Sequence, residues 1–150
     1  MSYLEKVRLS PQNIRHKGPF SYGMRIGNAI HIHGQMGTDF ESKTLVDSDV
    51  KKQTIQIFEN IECILQSTQC TLNQVVGLTI YLKDLNHRRL VDQMIALYFN
   101  SPYPTVSVMA VLDLEHGASV MMDCIAYDTR EFDEAQMILE DDCGGSRCQD

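Results

Sequence analysis

The sequence predicts an α+β domain in which one mixed sheet carries two helices on a single face. Three observations predict it. Segments 29–35, 75–83 and 105–112 alternate apolar with polar residues, the period of a strand, and 119–127 reads as a last strand. Segments 49–68 and 87–99 repeat apolar residues every three or four positions, the stripe of an amphipathic helix. The order is then strand, strand, helix, strand, helix, strand, strand, and two stripes can cover only one face of such a sheet.

Each element has a local cause. Ser10-Pro11-Gln12-Asn13 and Lys17-Gly18-Pro19 are loop entries. The strand Phe20–Ile26 meets Gly27-Asn28, a hairpin turn, and returns as Ala29–Gln35. Alternation puts Ile30 and Ile32 on one side and His31 and His33 on the other. Residues 39–48 form a polar loop. Ser48 or Asp49 caps the first helix, whose stripe is Thr54, Ile57, Phe58, Ile61, Ile64, Leu65 and Thr68. Thr71-Leu72-Asn73-Gln74 has capping-box form. In the next strand Val76, Leu78, Ile80 and Leu82 alternate with Gly77, Thr79 and Tyr81. Asn86 caps the second helix, with Leu90, Met94, Leu97 and Tyr98 as its stripe, and Pro102 and Pro104 stop it. Val106, Val108, Ala110 and Leu112 share one side of the following strand. A turn at Glu115-His116-Gly117 leads to the strand 119–127, and a short helix is predicted over Glu131–Glu140 before Gly144-Gly145-Ser146. The uncovered face carries His31, His33, Thr79, Tyr81, Thr105 and Ser107. A half-covered sheet of this kind finds its second cover in another subunit, so a homo-oligomer is expected.

Composition excludes several classes. The chain has 150 residues, enough for one core. No apolar run approaches the roughly 18–20 residues that span a bilayer. The opening MSYLEKVRLS has no secretory h-region, and five cysteines without a dense framework read as reduced thiols, so a cytoplasmic protein is expected. The net charge of −7 is uneven. Residues 131–150 hold seven acids against Arg147, which leaves −1 for residues 1–130. Such a body does not suit nucleic-acid binding, which needs clustered Lys and Arg against phosphates.

The candidate constellations are modest. His31-x-His33 is half of a metal site at most, because a closed site needs three or four ligands; His16, Cys124 and Asp123 have no spacing that demands it, and packing or hydrogen bonding in a cleft is preferred. Cys143 and Cys148 suit a metal hook, a tail disulfide or, preferably, two plain thiols. Cys63 and Cys124 read as core; Cys70 is reactive only if exposed beside positive charge. Met121, Met122, Met94 and Met109 form a soft pocket or, preferably, core. Gly34-x-x-Gly37 reads as a loop, and Lys51-Lys52 as a solvated helix start. No nucleophile elbow, phosphate loop, dinucleotide fingerprint or HExxH occurs.

A family resemblance adds to this. Gly18-Pro19-Phe20-Ser21, the run Gly27–Gln35, Gln53-Thr54-x-Gln56 with Asn60-Ile61, Thr71–Val76, Thr79-Ile80-Tyr81-Leu82-x-Asp84 and Gly117-Ala118 to Ala126 resemble, in order, the RidA/YjgF/L-PSP family over about residues 11–128. The resemblance implies a RidA-like domain at 1–130, with the acidic tail at 131–150 outside it, a chorismate-mutase-like fold and a homotrimer with ligand clefts between subunits. It implies hydrolysis of enamines and imines such as 2-aminoacrylate, with no metal or organic cofactor: an arginine fork grips the substrate carboxylate, and a water placed by a carboxylate and backbone groups attacks the iminium carbon.

Four family positions are changed. The arginine falls on Pro104, the glutamate on Met121, the tyrosine after Gly-Pro on Phe20, and the serine before Gly-Gln on His33; the turn 113–119 is about two residues longer than the family's. Loss of a buried bidentate charge partner costs several kcal/mol of substrate binding. The expectation is therefore a more apolar cleft for a less acidic, larger ligand rather than 2-aminoacrylate. Ligand-binding candidates are Phe20, His33, Tyr103, Pro104, Thr105 and Met121. Catalytic candidates are His33, since histidine is the side chain suited to acid–base work near neutral pH, and Asp123, which shares the Met121 side of the strand. The alternatives are a non-catalytic trimeric binder and, least favoured by charge, an endoribonuclease or translation inhibitor.

Overall fold

Strand alternation and the two helical stripes converge on one side of a single sheet. The computed structural model describes residues 5–15 and 17–143. Strands β1 (Lys6–Leu9), β2 (Gly23–Ile26) and β3 (Ala29–Met36) are followed by helix α1 (Val50–Gln66), β4 (Val75–Leu82), α2 (Arg88–Tyr98), β5 (Thr105–Ala110), β6 (Val120–Tyr127) and α3 (Arg130–Cys143). The strand order is β1-β2-β3-β6-β4-β5, antiparallel throughout except for the parallel β4–β5 pair. The sheet is therefore mixed, as predicted. Ile30 and Ile32 of β3, Ile80 and Leu82 of β4 and Val120 and Met122 of β6 meet Ile57, Phe58, Ile61 and Ile64 of α1, all of them fully buried. Phe58 sits 5.2 Å from the rings of both Tyr98 and Phe99, which fastens α2 to α1. No helix among the described residues is long and apolar enough to cross a membrane.

Buried polar groups fix α1 over the sheet. Gln53 is fully buried; its Nε2 donates to the Asp47 carbonyl at 2.9 Å and its Oε1 accepts from the Ser119 N–H at 2.9 Å. The Asn60 Nδ2 donates to the Thr38 carbonyl at 2.9 Å and the Met36 carbonyl at 3.3 Å. Gly37 lets the helix come this close: a Cβ there would lie 2.6 Å from the Gln53 Cα. Asp128, 5% exposed, accepts from Arg130 at 2.9 Å (Nε) and 2.7 Å (Nη2) and pairs with Arg25 at 3.2 Å. Arg130 also donates to the Thr68 carbonyl and the Gln69 Oε1, so one guanidinium joins the start of α3 to the end of α1. The Arg130 hydrogen bonds, outweighing desolvation, hold the Asp128 carboxyl down at about 2.

Several local expectations need correction. A sixth strand, β1, precedes the predicted ones; its Lys6-Val7-Arg8-Leu9 alternates polar with apolar residues over only four positions, the shortest run that marks a strand, and only Leu9 is buried. The first hairpin strand is only Gly23–Ile26, with the turn at Gly27, φ 57°. Asp49 caps α1, accepting from the Lys52 N–H, but the cap before the second helix is Asp84 rather than Asn86, because a 3-10 turn at Leu85–His87 precedes α2. The buried stripe of α2 is Val91, Met94 and Ile95, flanked by Leu90 and Tyr98; Leu97 is 74% exposed, since two stripes one residue apart fit the same spacing. Val76 is exposed because the β4–β6 register shifts beside it. On the edge strand β5, Val106 and Val108 pack on the core while Ala110 and Leu112 do not. Cys63 is exposed, whereas Cys124 is buried as predicted. The helix expected over 131–140 spans Arg130–Cys143. The side-chain readings for His16, Cys143 and Cys148 lie outside the described residues.

Candidate active site

Successive strand residues point to opposite faces, so Met121 and Asp123 of β6, Thr79 and Tyr81 of β4 and His31 of β3 look away from the helices. The decisive local event is in β3. Its register against β6 runs Ile32↔Cys124 and then Gln35↔Met122, so His33 and Gly34 together oppose the single residue Asp123. Gly34 takes φ 68°, the left-handed conformation a glycine permits at such a bulge. Its N–H turns toward β6 and donates to the Asp123 Oδ1 at 2.8 Å. The other carboxylate oxygen, Oδ2, accepts from the Tyr81 hydroxyl at 2.8 Å. That hydrogen bond, with burial and the carboxylate charge adding to it, holds the Tyr81 phenol above its ordinary range. Gly34-x-x-Gly37 is thus no plain loop: Gly34 lies inside a strand.

The bulge that donates to this carboxylate borders a cleft of about 620 Å³, lined by Lys17, Phe20, His33, Gly34, Lys43 and His116 among others. Phe20 is 63% exposed on its wall. His33 also borders a second cleft of about 310 Å³ with Ser21, Met24 and His31, its ring centroid 5.7 Å from that of His31. Among the described residues no three His, Cys, Asp or Glu side chains converge as a metal set. A larger cleft of about 690 Å³ runs along the flank of α1 past Glu59 and Cys63 and contains none of the predicted site residues.

The predicted residues therefore separate into two groups. Phe20 and His33 line one cleft beside the β3 bulge, and Asp123 is bonded to the Gly34 of that bulge. Tyr103, Pro104 and Thr105 lie at the start of β5, three strand spacings or about 14 Å from β3. Pro104 is buried beside Phe99 and Asn100, Tyr103 is exposed, and the Thr105 hydroxyl donates to the Val76 carbonyl at 3.2 Å. Met121 sits between the groups, half-buried, directly across from Tyr81. The four methionines divide likewise: Met94 and Met122 are core, Met109 is exposed and Met121 lies on the open face.

Sequence reasoning missed the roles of Tyr81 and Gly34. Both left a signal: alternation put Tyr81 on the open face, and a glycine inside a strand pattern marks a bulge. Together they give a carboxylate fixed by two donors, with lone pairs left for a further donor such as water or a protonated nitrogen.

Comparison with known proteins agrees with this architecture. The family model described as Endoribonuclease L-PSP matches residues 10–128. The chain is 36% identical over 110 residues to a RutC family protein of Pyrococcus abyssi, covering 73% of this chain and 87% of that one. It is 32% identical over 109 residues to the Mus musculus protein named 2-iminobutanoate/2-iminopropanoate deaminase, covering 73% and 81%. RidA from an Antarctic Psychrobacter superposes with a TM-score of 0.73 at 30% identity, over 81% of this chain and all of that one.

Proposed function

Since this chain belongs to the RidA/YjgF/L-PSP family, we propose that it assembles as a homotrimer of chorismate-mutase-like subunits and uses the cleft at the β3 bulge to hydrolyse or tautomerise an imine or enamine. The single observation that carries the reading is the Asp123 carboxylate, held at 2.8 Å by both the Gly34 N–H and the Tyr81 hydroxyl beside His33. In hydrolysis, Asp123 accepts a proton from the attacking water as its oxygen bonds to the iminium carbon. His33 protonates the departing nitrogen, and as the tetrahedral adduct collapses to a carbonyl and ammonia the hydroxyl proton returns to His33. The deaminase names carried by the mouse and other relatives favour this reaction class.

Assembly supplies what one chain separates. Tyr103 and Thr105, both exposed, stand about 14 Å from β3 across the sheet, so they reach a cleft beside Phe20 and His33 from a neighbouring copy, with the buried Pro104 between them in sequence. Pro104 and Met121 bring no charge to the positions where the family resemblance places an arginine and a glutamate. The cleft accordingly takes a larger, more apolar ligand resting on Phe20. Those two residues also favour the second reading, a non-catalytic trimeric binder. Ammonia release from a panel of imines, from small carboxylated ones to bulky apolar ones, separates them. Turnover of the bulky members supports the enzyme; ligand binding with no ammonia from any member supports the binder.

A further inference from the structure

Resting on that catalytic reading, we infer that Tyr81 is a positioning residue: its hydroxyl and the Gly34 N–H together fix the Asp123 carboxylate at the bulge that borders the cleft, two residues along β6 from the family's glutamate position.

The geometry builds this from three elements. Met121 offers a thioether, which cannot order a water as a carboxylate does. Asp123 is next on the same face of β6, and two directional bonds hold it there. Tyr81 lies diagonally across from it: Thr79 is its direct partner, and Tyr81 is the direct partner of Met121. That diagonal is within reach of a long aromatic side chain. Among the described residues no ion pair involves Asp123, so the fixing is by hydrogen bonds rather than by a cation. The space above the bulge is open, since a Cβ on Gly34 would meet nothing within 4 Å. A ligand can therefore sit against the same glycine whose N–H orients the carboxylate. The phenol of Tyr81, pushed above its ordinary range first by its bond to Asp123, remains the donor across the working pH range.

Two variants test the pairing in the intact full-length assembly. Tyr81→Phe keeps the ring and removes only the donor. With an imine that the wild type hydrolyses, kcat should fall about 10–100-fold, the scale set by a misplaced catalytic group. KM should stay within about twofold, because ground-state binding is untouched. Asp123→Asn should move the Tyr81 titration, followed by carbon NMR of the ring-labelled protein, down toward the ordinary tyrosine value. An unchanged kcat in Tyr81→Phe, or an unmoved Tyr81 titration in Asp123→Asn, overturns the assignment even if imines are turned over. If the wild type hydrolyses no imine, the catalytic reading itself falls, and the Asp123→Asn titration alone then decides the coupling. Should Tyr81→Phe fail to assemble, the same titration decides.

Discussion

Replacing Asp128 by Asn should loosen the chain by an amount that depends on pH in a defined direction. The carboxylate is 5% exposed and accepts three hydrogen bonds from Arg130, two from its guanidinium and one from its backbone N–H, with Arg25 at 3.2 Å. Its carboxyl is held at about 2, below an ordinary value of 3.8, chiefly by the Arg130 hydrogen bonds. At 1.36 kcal/mol per unit, the native state gains about 2 kcal/mol from this ionised group at neutral pH. A depressed carboxylate contributes fully above its unfolded value and is lost as pH falls through its folded one. The difference between wild type and Asp128→Asn should thus be constant above pH ~5, shrink to roughly half near pH 3, and vanish near pH ~1. Thermal unfolding at fixed protein concentration measures it; about 2 kcal/mol corresponds to roughly 4–8 °C in a domain of this size. A pH-7 midpoint within 1 °C of wild type, or a gap that does not shrink in acid, refutes the charge-based argument.

Three further outcomes follow from packing and exposure. Gly37→Ala places a Cβ 2.6 Å from the Gln53 Cα, so α1 must back away from the end of β3 at a cost of about 1–3 kcal/mol; a melt unchanged from wild type would show that the helix moves freely. Phe58→Ala empties the fully buried junction of α1 and α2 and should cost about 3–5 kcal/mol by urea unfolding, and a loss under 1 kcal/mol would mean the site collapses. In native protein a maleimide should modify Cys63, which is exposed, before Cys70 or Cys124, both buried, the Cys124 thiol being pushed up by burial to about 12. Peptide mapping reads the order, and early labelling of Cys124 would contradict its burial.

Local chemistry made much of this fold legible. The seven residues of the first predicted stripe, Thr54 to Thr68, six of them within α1, are all buried, because a 3.6-residue period depends on neighbours three and four apart. Thr71-Leu72-Asn73-Gln74 closes the capping box its spacing promised, with the Gln74 side chain accepting from the Thr71 N–H. Where two local patterns competed, the sequence could not choose: Leu97 and Ile95 both fit a helical face, and packing against α1 and the sheet selected Ile95. β1 was missed although Lys6-Val7-Arg8-Leu9 alternates, because four positions are the shortest run that signals a strand and its edge place leaves only Leu9 buried.

The candidate site shows the same division. Alternation alone placed His31 and Tyr81 on the uncovered side of the sheet and set Asp123 on the Met121 side of its strand, and motif order alone indicated the family. Which of those residues meet was decided in three dimensions. A one-residue shift in β3 sets His33 and Gly34 against Asp123, and the β4–β6 register brings Tyr81 within a hydrogen bond of it. Side-chain direction along a strand repeats with the chain and can be read from it. Cross-strand partnership depends on register and on where a bulge slips it, which join residues as far apart as Gly34 and Asp123 and exist only once the sheet has formed.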